Sequence, residues 1–107
     1  MARFIVITPE KILELEQIDS TYVPYETIQD IIADDVYQMK SYAGNMPITI
    51  FYGDASSNYE KPLNSIAKSK FPELPISFGN VVITGALYGD EYLGLDKIAI
   101  NQIRNRI

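Results

Sequence analysis

With 107 residues, 47% of them hydrophobic and 21% charged, the chain has material for a single compact domain spanning 1–107 and for one core without a disulfide or a structural metal. The sequence contains no cysteine and no histidine, which excludes thiol nucleophiles, disulfides, the usual zinc sites and the side chain that most often moves protons near neutral pH. The net charge of −5 is uneven: residues 14–60 hold nine acids against Lys40 alone, while residues 61–107 hold four acids and six bases.

Taken in chain order, Arg3 to Thr8 is a continuous apolar run that suits a strand covered on both faces. Pro9-Glu10 interrupts it, and Lys11 to Ile18 then alternates, with Leu13 and Leu15 opposite Glu14 and Glu16, as a half-exposed strand does. The two runs are expected to form a hairpin. Asp19-Ser20-Thr21 is a turn and capping cluster, and Pro24 is placed for the first turn of a helix over residues 24–33 with Tyr25, Ile28, Ile31 and Ile32 on its apolar face.

Asp34-Asp35 ends that helix, and Val36 to Tyr42 alternates as a strand. Ala43 to Pro47 is a turn by composition, Ile48 to Tyr52 a strand, and Gly53 to Asn58 a small polar loop. Leu63 to Phe71 suits a short helix through Leu63, Ile66 and Ala67, stopped by Pro72. Asn80 to Leu87 is a buried strand, and Tyr88 to Gly94 a turn. Leu95 to Ile107 is an amphipathic helix with Leu95, Ile98, Ala99, Ile103 and Ile107 on one face, Asp96 near its start and Arg104 and Arg106 near its end. These elements predict an α+β fold: one mostly antiparallel sheet of four or five strands with two or three helices packed on it.

Reaction chemistry is sparse. The adjacent acid pairs Asp34-Asp35 and Asp90-Glu91 lack the alternating oxygen ligands of a calcium loop and read as a helix end and a solvated turn. Ser56, Ser57 and Thr84 have no histidine partner, and Ser65-Ile66-Ala67-Lys68 matches a Ser-x-x-Lys spacing without supporting context. Gly79, Gly85, Gly89 and Gly94 form neither a dinucleotide fingerprint nor a phosphate loop. No metal, cofactor or catalytic residue is assigned, and the chain reads as a protein without enzymatic activity.

The acidic half also holds Tyr22, Tyr25, Tyr37, Tyr42, Tyr52 and Tyr59, six of the eight tyrosines. Tyrosine offers apolar area with a polar tip and is favoured at interfaces. Negative charge repels phosphate backbones and anionic lipid, which disfavours nucleic acid or a membrane as the direct partner and favours a basic protein surface. A solvated face that promotes solubility accounts for the same charge. The residues singled out for partner binding are Asp30, Asp34, Asp35, Tyr37, Tyr42, Asp54 and Tyr59.

The stretches Lys61-Pro62-Leu63-Asn64, Phe78-Gly79-Asn80-Val81-Val82-Ile83-Thr84-Gly85 and Leu93-Gly94-Leu95 carry a resemblance to small uncharacterised domains encoded by phages, plasmids and conjugative elements of Gram-positive bacteria. The resemblance runs from Ile5-Val6-Ile7-Thr8-Pro9 through the C-terminal helix, and is strongest from Asn58 onward. It implies a mobile-element context, no established activity and no transferable functional residue. By analogy, small acidic proteins of such elements often oppose host defence by occupying the nucleic-acid channel of a CRISPR nuclease or restriction enzyme. The expectation is a cytoplasmic binding protein that docks a host protein through its acidic, tyrosine-rich half. The alternative is a small-ligand or nucleotide-binding module using the glycines near Gly79, Gly85 and Gly89. The short apolar run at the N-terminus suits no signal peptide.

Overall fold

The computed structural model describes residues 1–54 and 60–106. Strands β1 (Ala2–Ile7) and β2 (Ile12–Gln17) form the expected hairpin, with Ala2 opposite Gln17 and Ile7 opposite Ile12. β3 (Tyr22–Val23) leads into α1 (Tyr25–Ile32), and β4 (Val36–Ala43) and β5 (Met46–Gly53) form a second hairpin. α2 (Ser65–Lys70), β6 (Val81–Gly85), β7 (Leu87–Tyr88), β8 (Glu91–Leu93) and α3 (Lys97–Arg104) complete the chain. The main sheet has the order β2-β1-β6-β5-β4 and is antiparallel throughout.

Alternation along the central strands builds two cores, one on each face of that sheet. Ile5 and Ile7 of β1, Ile48 and Ile50 of β5, and Val81 and Ile83 of β6 pack with Ala67, Phe71, Leu74, Ala99, Ile100 and Ile103 from α2, α3 and their flanks. Ala2, Phe4 and Val6 of β1, with Phe51 and Val82, pack with Val23, Ile28 and Ile32 on the opposite side. The continuous apolar run in β1 is therefore explained by burial on both faces.

The single sheet expected from the sequence is corrected in one respect: β3, β8 and β7 form a second, three-stranded antiparallel sheet. The run Asn80 to Leu87 divides between the two sheets. The division falls at Gly85, where an added Cβ would lie 2.8 Å from the Gly94 carbonyl oxygen and 3.0 Å from that of Leu93. Only glycine permits that approach, so the chain can leave the main sheet beneath β8. The segment read as a turn over Tyr88 to Gly94 is in fact the β7–β8 hairpin and its exit.

The helices are shorter than the pattern suggests, because their caps lie inside it. Pro24 is the N-cap of α1 instead of a first-turn residue, and Ala33 ends the helix in the left-handed region at φ 53°. Asn64 caps α2 by accepting from the Ala67 amide at 3.0 Å, which leaves Leu63 outside the helix and exposed. Asp96 caps α3 by accepting from the Ala99 amide at 2.7 Å. Starting there, α3 buries Ala99, Ile100 and Ile103 and turns Ile98 outward, which corrects the expected face. The helix stops at Arg104 with Asn105 as its C-cap, short of the expected extension, whose last residue, Ile107, lies outside the described residues. No helix among the described residues is long and apolar enough to cross a membrane.

Candidate binding surface

The β4–β5 hairpin turns at Gly44-Asn45, with Gly44 at φ 64° and Ala43 opposite Met46. A positive φ at the first of two turn residues suits a tight hairpin and fixes a one-to-one register. That register sets Tyr37 directly opposite Tyr52, and their rings stack at 6.0 Å between centroids and 26° between planes. Because a strand's side chains alternate, this pair lies on the face shared with Met39 and Ile50.

Three carboxylates converge beside the stack. Leaving α1 through the left-handed Ala33 brings Asp34 to the start of β4 and level with the end of β5. Asp34 Oδ1 accepts from the Asp35 amide at 2.8 Å, and Asp34 Oδ2 accepts from the Asp54 amide at 3.2 Å. The carboxylate of Asp34 thus ties the two strand ends together, while Gly53 leaves it room. The Tyr37 phenol is held above its ordinary pKa of 10.0, chiefly by the Asp54 charge. Partial desolvation, the Asp35 and Asp34 charges and a hydrogen bond to the Asp54 carboxylate act in the same direction. The nearby ammonium of Lys61 is committed elsewhere, donating to the carbonyls of Ile32 at 2.8 Å and Ala33 at 3.1 Å at the C-terminal end of α1.

Of the residues singled out from the sequence, Asp34, Asp35, Tyr37 and Asp54 come together. Asp30 is exposed on α1, which packs against the other face of the sheet. Tyr42 lies toward the opposite end of β4 with its side chain on the opposite face from Tyr37, beside Pro47, Ala86 and Leu87. Tyr59 lies outside the described residues. Tyr52 was missed as a site residue, although counting back from the Gly44-Asn45 turn pairs it with Tyr37. The remaining tyrosines divide by role: Tyr92 sets its edge on Phe51 at 4.8 Å and donates to Gln38 Oε1 at 2.6 Å, while Tyr88 is exposed.

The acidic segment is likewise not one surface. Glu14 and Glu16 belong to β2, where they pair with Arg104 at 3.2 Å and Arg3 at 3.4 Å. No group of three or more potential ligands suited to a metal ion occurs among the described residues. Lys68 Nζ donates to the Pro72 carbonyl at 2.7 Å and also to that of Leu74, closing the loop after α2 instead of serving Ser65. Thr84 donates its hydroxyl to the Gly85 carbonyl at 2.9 Å, and Ser56 and Ser57 lie outside the described residues. Gly79 is closed against Lys61 Cδ and Gly85 against the β8 backbone, whereas Gly89 sits in the open β7–β8 turn.

Comparison of the chain with protein-family models, with curated proteins and with solved structures gives no match in any of the three.

Proposed function

We propose that the chain is a binding protein that docks a basic surface of a host protein through the end of the main sheet formed by Asp34, Asp35, Tyr37, Tyr52 and Asp54. The observation that supports this reading is the Tyr37–Tyr52 stack set against three carboxylates. A half-exposed aromatic pair supplies contact area at low entropic cost, and the carboxylates steer and orient a cationic partner. Tyr37 is 48% exposed, so the stack is reachable from solvent. The specific form of the proposal is a mobile-element inhibitor that occupies the nucleic-acid channel of a defence enzyme, where a stacking ring beside negative charges copies base and phosphate. Such channels are positively charged.

The test is capture of a partner from lysate of the source cell, by wild type and by a variant carrying Asp34→Asn, Asp35→Asn and Asp54→Asn. The partner should be retained by wild type at roughly 50 mM salt, released toward roughly 500 mM, and lost by the triple variant. Asp90→Asn, in the β7–β8 turn, should leave capture unchanged. A partner held equally by the triple variant, or equally at both salt concentrations, would place the interface elsewhere.

A further inference from the structure

The two edges of the main sheet differ in how they meet solvent. β2 carries Glu14 and Glu16 on one face, both engaged with arginines. Pairing β2 with β2 of a second copy, antiparallel and in plane about Glu14, Leu15 or Glu16, sets the two acids opposite one another or one of them opposite its own copy, and like charges in that position repel. β4 is an eight-residue edge with unbroken one-to-one pairing to β5, no proline and Lys40 as its only charge. It has no strand on its outer side among the described residues. Proline, bulges and clustered charge are the usual protections of an edge, and β4 has only the single lysine.

The backbone direction of that edge follows from the turn. Ala43 and Met46 close a two-residue turn, so they form a hydrogen-bonded pair, and by alternation Tyr37, Met39 and Ser41 also bond to β5. Val36, Gln38, Lys40 and Tyr42 therefore direct their amides and carbonyls outward. A second copy related by a twofold axis normal to the sheet keeps each face on its own side, so outward residues must meet outward residues. Two registers then use nearly the whole strand, centred on Met39 or on Lys40. The Lys40 centre sets two ammonium groups against each other. The Met39 centre sets Lys40 against Gln38, Val36 against Tyr42 and Tyr37 against Ser41, with no like charges opposed.

We propose that β4 pairs antiparallel with β4 of a second copy of this chain about a twofold axis at Met39, joining the two main sheets into one. The pairing covers Tyr42, which is 61% exposed in the single chain. It carries the Asp34-Asp35 end of each strand toward the neutral turn of the other, so the acidic ends stay apart. It does not rest on those acids being a partner site, and the two proposals stand or fall separately.

Sedimentation velocity over a concentration series tests the proposal, with wild type expected to show reversible dimerisation. Gln38→Glu creates two Lys–Glu pairs across the interface and should strengthen association about fivefold at low salt, and Gln38→Lys should weaken it by a similar factor. Both differences should shrink as salt is raised. Gln38 also accepts the Tyr92 hydroxyl, so Tyr92→Phe serves as the control that removes this bond without adding charge. Wild type that stays monomeric at every concentration overturns the proposal, as do Gln38 variants that associate like wild type. Tyr92→Phe weakening the dimer as much as Gln38→Lys overturns the Met39 register. Circular dichroism confirms that each variant is folded, and should Gln38→Lys not fold, the Gln38→Glu result decides.

Discussion

Tyr37 links the electrostatics of the candidate surface to a measurement. Its phenol is raised above 10.0, with Asp54 as the largest cause. Neutral Tyr37 is therefore favoured in the folded state. The resulting contribution to stability is fully present below the unfolded pKa and is lost as pH rises through the higher folded value. Alkaline titration followed by tyrosinate absorbance should show one tyrosine ionising late. In Asp54→Asn that component should move toward the ordinary range, and an unchanged titration curve would mean that Asp54 does not face the phenol in solution. Asn64 gives a second residue-scale expectation. It is fully buried, donates to the Ile7 carbonyl at 2.7 Å and the Gly79 carbonyl at 2.8 Å, and accepts from the Ala67 amide. Asn64→Ala leaves all three groups without that partner and should cost about 3 kcal/mol in a denaturant titration. A loss below about 1 kcal/mol would mean that water replaces the side chain.

At the scale of elements, the end of α1 is held by a residue poorly suited to its conformation. Ala33 adopts φ 53° and ψ 43°, where a Cβ is unfavourable, so Ala33→Gly should raise stability by about 0.5–1 kcal/mol and Ala33→Val should lower it. Thermal melts of the two variants should move in opposite directions. Most strands were legible because their apolar residues alternate or run continuously, and the β4–β5 hairpin because of Gly44-Asn45, although Ala43, Met46 and Pro47, expected in the turn, belong to the strands. β3 and β8 were not. β3 has only two residues and β8 three, too few for a period to register, and they pair with each other at a distance in sequence that no local pattern shows. The candidate site was legible in composition but not in geometry. Acid and tyrosine counts pointed to the first half of the chain, which is where Asp34, Asp35, Asp54 and the Tyr37–Tyr52 stack lie. The separation of Tyr42 from Tyr37 follows from strand parity, and the removal of Glu14 and Glu16 follows from long-range pairing with Arg104 and Arg3.

The whole molecule is organised by one sheet that serves two cores, and its cooperativity should follow from that. Phe71 is fully buried on the side of α2 and α3, with the Arg106 guanidinium 4.6 Å above its ring. Phe51 is fully buried on the other side, held edge to face by Tyr92. Each reaches the same strands, since β1, β5 and β6 send alternate residues to both clusters. Loss of packing on one face therefore loosens the strands that the other face needs. Phe51→Ala and Phe71→Ala should each cost about 3–5 kcal/mol, a large share of the 5–15 kcal/mol typical of a domain. In each variant, urea unfolding followed by far-ultraviolet circular dichroism and by tyrosine fluorescence should give coincident curves, as an all-or-none transition requires. The double variant should not remain folded. If the two probes instead separate in Phe51→Ala, the layer of α1 and the small sheet melts before the main sheet, and the two faces are independent units.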